Sequence, residues 1–224
     1  MNNFDVAIID YGLGNLFSIK HACEHVGLSI QITNDTNDIL NAKSVILPGV
    51  GAFGDAMKAL NRLDLVAPIK DVAAKGTPLL GICLGQQLLF SESEEFGHYK
   101  GLDLIPGTVQ YLAVQQHENR TLKVPQVGWN SINIPPDKGP NAWDGTLLQG
   151  MPPATDMYFV HSCYTVPQNT DAVLCVTRYG DTVFCSGSTH GNITAFQFHP
   201  ERSGKDGLRI YTNFSQQIRS AEAS

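Results

Sequence analysis

Cys83 sits at the centre of Gly81-Ile82-Cys83-Leu84-Gly85, one thiol framed by glycines two residues before and two after. That frame suits a nucleophile: the glycines relieve crowding at a sharp turn, and the central side chain is thrust outward. Residues 78–82 form a short apolar run of the kind that makes a buried parallel strand. Residues 84–90 read as the opening of an amphipathic helix whose unpaired N–H groups would favour a thiolate. A buried structural cysteine is the alternative reading of the pentapeptide alone.

A thiolate nucleophile needs a base to take and return a proton, and the base needs a carboxylate to orient it. Phe196-Gln197-Phe198-His199-Pro200-Glu201 offers both. The alternating phenylalanines read as a strand, His199 lies just beyond its end, and Pro200 fixes a turn that lets Glu201 fold back on the imidazole. If this strand and strand 79–82 share a sheet, His199 faces Cys83 across their carboxyl ends. Pro48-Gly49-Val50-Gly51 follows another apolar run, and backbone N–H groups in such a loop can point at a developing oxyanion.

The elements that must position these residues fall into two textures. In the first half, strands at 6–9, 29–32, 44–47 and 79–82 alternate with helices at 15–26, 52–60 and 66–75, the last closed by Gly76. Repeated βα units predict an α/β fold: a mostly parallel central sheet flanked by helices, with its site at the carboxyl ends of the strands. In the second half, residues 107–112, 131–134, 158–166, 172–178, 182–188 and 193–198 read as strands joined by Pro, Gly, Asn and Asp clusters, hence antiparallel or mixed sheet. Residues 135–153 read as an exposed loop, and a last helix at 207–219 covers the sheet. There is no internal repeat.

With 224 residues, a single domain spanning 1–224 is the expectation. The hydrophobic content of 42% and net charge of −6, with no basic run, argue against nucleic-acid binding. No apolar stretch approaches the length of a membrane span, and the opening residues read as entering a strand rather than as a signal peptide. Five cysteines without a Cys-x-x-Cys pair suit free thiols in a reducing cytoplasm. His21 and His25, four apart on a helix, lack a nearby third ligand, so no metal is expected there. Gly12 and Gly14 suggest a dinucleotide fingerprint, but Phe17 stands where its third glycine belongs and no cofactor is expected.

Cys83, His199 and Glu201 in this order, with PGVG upstream, resemble a class I (triad) glutamine amidotransferase domain. More narrowly, IDYGLGNLFSI (9–19), LPGVGAFGDAM (47–57), GICLGQQLLF (81–90), PQVGWN (125–130), YFVHS (158–162) and FQFHPERS (196–203) are similar to the glutaminase subunits of imidazole glycerol phosphate synthase. GICLG and HPE mark the broad family; IDYGLGN, PGVGAFGDAM and VGWN mark the narrower group. The resemblance implies that Cys83 attacks the side-chain amide of L-glutamine, His199 moves protons and Glu201 orients the ring. It implies that the backbone N–H groups of Val50 and Leu84 hold the oxyanion, while Gln87, Gly49 and Gly51 lie against the substrate. The implied partner is a (β/α)₈-barrel cyclase, which uses the ammonia in histidine biosynthesis, with Trp129, Tyr158 and Arg202 at the shared interface.

Two positions depart from the pattern. Cys163 stands where an aromatic is commoner, touching packing near the glutamine pocket, and Arg202 stands where lysine is frequent, touching the partner face. Three rival readings exist: a thiol hydrolase or redox sensor with the same elbow, a non-catalytic scaffold, and a glutaminase serving another synthase. The downstream His-Pro-Glu and PGVG argue against the first, and the complete triad argues against the second.

Overall fold

The computed structural model describes residues 4–113, 116–117 and 120–222; residues 1–3 of the opening stretch lie outside the described residues. β1 (Val6–Ile9), α1 (Leu16–His25), β2 (Ile30–Thr33), α2 (Thr36–Asn41), β3 (Ser44–Leu47), α3 (Phe53–Arg62), α4 (Val66–Ala74) and β4 (Leu79–Ile82) make up the βα half. Every residue of β1, β3 and β4 is buried, as their apolar runs require when helices cover both faces of a sheet. The period of two then sorts the side chains. Val6 and Ile8 pack with Ile19 of α1 on one face, while Ala7 and Ile9 pack with Phe53 and Leu60 of α3 on the other.

The chain continues through α5 (Leu84–Leu88), β5 (Phe90–Ser93), β6 (Tyr99–Lys100), β7 (Ile105–Tyr111), β8 (Gln116–His117), β9 (Arg120–Thr121), β10 (Gln126–Ile132), β11 (Thr155–His161), β12 (Cys163–Pro167), β13 (Val173–Tyr179), β14 (Thr182–His190), β15 (Ile193–Phe196) and α6 (Gly204–Glu222). The large sheet runs β2-β1-β3-β4-β15-β14-β12-β7-β5-β6, with β13 paired to β14. Its first five strands are parallel and form the expected sheet; from β14 onward a mixed wing is added, antiparallel except where β7 and β5 pair in parallel. β10 and β11 pair only with each other, as a separate antiparallel ribbon. No helix among the described residues is long and apolar enough to cross a membrane.

Several sequence expectations are corrected. The helix after Cys83 ends at Leu88, and Phe90 opens β5; all five helical residues are buried, so this is a short core turn rather than an amphipathic helix. The run at 158–166 is two strands, because the chain leaves the ribbon at His161 and joins the large sheet at Cys163. The strand expected at 131–134 begins earlier, at Gln126. Residues 135–153 are irregular but not exposed throughout. Trp143, Leu147, Leu148 and Met151 are buried, and Trp143 Nε1 donates to the Leu174 carbonyl at 2.9 Å. The short α2 has no counterpart in the sequence reading. It buries only Ile39 and is started by Asp35, whose carboxylate accepts from the Asn37 and Asp38 amides.

Candidate active site

Parallel pairing of β15 with β4 brings the two chemical motifs together. Phe196 lies opposite Ile82, and the Cys83 amide donates to the Phe196 carbonyl at 2.7 Å. Cys83 adopts φ 55° and ψ −110°, a left-handed conformation that an L-residue adopts at a cost. Its flanking glycines have separate reasons. A Cβ on Gly81 would meet Leu89 Cδ1 at 2.7 Å, and one on Gly85 would strike the Leu47 carbonyl oxygen. The elbow is therefore packed tightly against the ends of β3 and β15.

Cys83 is buried at the edge of an apolar cluster, and two polar groups approach its sulfur. Gln197 Nε2 approaches Cys83 Sγ at 3.6 Å, and the sulfur lies 3.8 Å from the Val160 carbonyl. His199 Nδ1 is 2.7 Å from Glu201 Oε1, with both side chains almost fully buried. Burial alone would push the imidazole pKa down. The neighbouring Cys83 charge and the Glu201 carboxylate outweigh it and raise His199 to about 10. His199 Nε2, the nitrogen left over after Nδ1 engages Glu201, is buried without a hydrogen-bond partner. A 3₁₀ turn over residues 200–202, with Pro200 at its start, brings Glu201 back beneath the ring.

The pocket in front of Cys83 has a volume of about 260 Å³. Val50, Gly51, Leu84 and Gln87 line it, together with Glu95, Val160, His161 and Cys163. Gly49 does not. A Cβ there would run into the Tyr11 hydroxyl and lie 2.9 Å from Leu84 Cβ, so its bareness serves a close approach behind the loop. Among the described residues, the amides of Gly49, Val50 and Gly51 donate no hydrogen bond. Leu84, the first residue of α5, has no intrahelical acceptor for its own amide. The backbone amides of Val50 and Leu84, two residues that line the pocket, are therefore uncommitted among the described residues. Gln87 is more committed: its Nε2 donates to the Cys163 carbonyl at 3.1 Å and to Gln197 Oε1 at 3.0 Å.

Three lining or supporting residues were given no role by the sequence, although Tyr11 and His161 lie inside the motifs IDYGLGN and YFVHS. Glu95, the one carboxylate lining the pocket among the described residues, accepts from the Phe53 amide through Oε2, at 2.6 Å, and from the Cys163 thiol through Oε1. Burial, followed by the Glu95 charge, pushes the Cys163 thiol up to about 12. His161 places Nδ1 2.8 Å from the Cys163 carbonyl and Nε2 3.0 Å from Gln126 Oε1, and burial holds its pKa down at about 4. Tyr11, at the carboxyl end of β1, donates its hydroxyl to the Pro48 carbonyl at 2.7 Å. All depend on contacts more than thirty residues distant in the chain, except the His161–Cys163 bond.

Trp129, Tyr158 and Arg202 come together outside the pocket. Trp129 pairs with Tyr158 across the ribbon, their rings 6.0 Å apart edge to face, and the Arg202 guanidinium lies over the Tyr158 ring at 4.5 Å. Trp129 is 59% exposed, which excludes a core role. The Tyr158 carbonyl accepts from the His199 amide at 2.9 Å, so this stack is one residue's backbone away from the base. His21 and His25 line an open groove with Phe17, Leu208 and Glu201. All five cysteines are free and buried.

A model of the family described as glutamine amidotransferase class-I matches residues 7–218. The chain is 47% identical to imidazole glycerol phosphate synthase subunit HisH of Moorella thermoacetica, over 96% of this chain and 96% of the relative. It is 40% identical to the HisH subunit of Chlorobaculum tepidum, over 94% and 99%. Among solved structures, the fold is similar to that of PurLQS from Thermotoga maritima, with TM-score 0.70, 16% identity and coverage of 96% of this chain and 98% of that one. It is also similar to the glutaminase domain of Trypanosoma brucei CTPS, with TM-score 0.64, 15% identity and coverage of 97% and 94%.

Proposed function

The chain belongs to the class-I glutamine amidotransferase family, grouping there with HisH subunits of imidazole glycerol phosphate synthase, and on that premise we propose how its residues work. It is a glutaminase of histidine biosynthesis. The observation that carries the residue assignment is the convergence of a strained thiol, an imidazole and a buried carboxylate at the ends of two adjacent strands.

Cys83 Sγ, as thiolate, attacks the side-chain amide carbon of L-glutamine, and the carbonyl oxygen becomes a tetrahedral oxyanion. The Val50 and Leu84 amides donate to that oxygen. His199, as imidazolium, gives its proton to the amide nitrogen; the C–N bond breaks and ammonia leaves, with a γ-glutamyl thioester on Cys83. His199 then takes a proton from water as the water attacks the thioester, which releases glutamate and restores the thiolate. Glu201 orients the ring and stabilises its charged form without accepting the proton. Gln87, Gly51 and the Glu95 carboxylate face the amino-acid end of the substrate, where Glu95 complements the α-ammonium group. Gly49 supports from behind.

The ammonia passes to a (β/α)₈-barrel cyclase partner, docked on the face that carries Trp129, Tyr158 and Arg202, in a cytoplasmic complex. The chain acts as a single domain in it. Purification with that cyclase, followed by synthase assays driven by glutamine or by ammonium salt, tests the reading. Cys83→Ala abolishes the glutamine-driven reaction and leaves the ammonium-driven one intact. Full glutamine-driven turnover in Cys83→Ala overturns the assignment of the nucleophile.

A further inference from the structure

Pro48-Gly49-Val50-Gly51 is held at both ends and free between them. Upstream, the buried Tyr11 hydroxyl donates to the Pro48 carbonyl at 2.7 Å. Downstream, Glu95 Oε2 accepts from Phe53, the first residue of α3, at 2.6 Å. Between these points the amides of Gly49, Val50 and Gly51 are unbonded among the described residues, and Gly51 sits at φ 119°. Tyr11 reaches the loop from β1, two strands away from the nucleophile's β4 in the sheet order. None of the steps assigned above uses it.

We infer that Tyr11 is a positioning residue for oxyanion stabilisation. The inference rests on the proposed use of the Val50 amide. A peptide unit is planar and trans, so fixing the Pro48 carbonyl also fixes the Gly49 N–H, which points the opposite way. Rotation in the loop is thereby confined to the units on either side of Val50. The same hydroxyl sets the space at Gly49, where a Cβ would collide with it. The first glycine of PGVG is the steric complement of Tyr11. Burial, reinforced by the nearby Cys83 charge, pushes the phenol pKa far up, so the hydroxyl remains a donor throughout the working pH range.

Tyr11→Phe removes the one hydroxyl and keeps the ring. In the complex with the cyclase, kcat for glutamine hydrolysis falls about tenfold to a hundredfold, the scale of a slightly misplaced catalytic group. KM stays within about twofold, because ground-state contacts are untouched. L-Glutamate γ-semialdehyde adds a discriminating readout. Cys83 adds to its aldehyde carbon, and the former carbonyl oxygen becomes the oxyanion of a thiohemiacetal. Its inhibition constant rises by the same factor as kcat falls. As a second variant, Gly49→Ala costs less in the Tyr11→Phe background than in the wild type.

Wild-type kcat and semialdehyde affinity in Tyr11→Phe overturn the inference. So does a loss of kcat accompanied by a matching rise in KM and a lowered melting temperature, which marks a plain packing defect. Additive costs for Gly49→Ala and Tyr11→Phe overturn the steric part. Failure of the nucleophile assignment reads out separately, in Cys83→Ala, so the two can be told apart.

Discussion

Ile82 and Phe196 are register partners in adjacent parallel strands, and this single pairing assembles the catalytic group. Cys83 follows Ile82 directly, and its amide is bonded to the Phe196 carbonyl. His199 lies three residues beyond Phe196, where β15 has ended and the chain is turning. A slip of one residue would turn every side chain of β15 to the other face of the sheet and carry His199 away from the thiol. Burial of Phe196 and Ala195 in opposite core clusters opposes such a slip.

His199→Ala abolishes the proton transfers and costs more in glutaminase kcat than Glu201→Gln, which only loosens and discharges the support of the ring. Glu201→Gln carries a second signature. With the carboxylate charge gone, the imidazole pKa falls from about 10, and the alkaline limb of the pH profile moves to lower pH. Steady-state kinetics across pH on both variants check this. The reverse ranking, or an unmoved alkaline limb, contradicts the roles assigned.

Glu95→Gln raises the KM for glutamine by about tenfold or more and changes kcat less, because it removes the charge that meets the substrate ammonium in a confined pocket. The amide oxygen of glutamine at position 95 still accepts from the Phe53 amide, so the downstream end of the PGVG loop stays anchored. A substrate analogue lacking the α-amino group distinguishes the mechanism: its binding is indifferent to the substitution. Equal weakening of both ligands removes Glu95 from ammonium recognition.

His161 sets an acid limit on stability. Its folded pKa of about 4 lies below the ordinary value of 6.5, so between those pH values the unfolded chain binds the extra proton. Folding stability therefore drops as pH falls through that window, by at most about 1.4 kcal/mol per pH unit from this group. His199 has the opposite sign: its raised pKa supports the fold fully below 6.5 and loses that support as pH rises through about 10. Urea titrations of wild type and His161→Gln from pH 7 to 4 check the first claim. The variant is less stable at pH 7 but shows the shallower slope; parallel slopes refute it.

The parts of the site that depend on neighbours in the chain were readable in the sequence. GICLG specifies its own turn, PGVG its own loop, and Pro200 the return of Glu201, so Cys83 and Glu201 stand out as candidates from local pattern, while the choice of the Val50 amide within its loop came from the family resemblance. The parallel block was equally accessible, because continuous apolar runs such as 6–9 and 44–47 suit only strands covered on both faces. Glu95 was not accessible, and Tyr11 lay within the IDYGLGN motif without any sign of what its side chain does. Their importance comes from partners at Phe53, Cys163 and Pro48, which only the fold brings near. The break at Ser162 was hidden for a related reason: alternation runs on through 155–167, and nothing local shows that the chain changes sheets. Residues 135–153 misled through composition. Their prolines and glycines forbid regular structure but not burial, and Trp143 and Leu148 fill space beneath them.

The left-handed backbone at Cys83 bears on how the protein can drift. A residue other than glycine held at φ 55° costs the fold on the order of 1–3 kcal/mol, a sizeable part of a typical domain's margin. Glycine would relieve that cost, so position 83 is one where mutation pressure towards a sturdier fold and retention of the enzyme pull apart. A lineage that no longer needed the reaction would have a thermodynamic reason to lose the thiol early, before the rest of the site decayed.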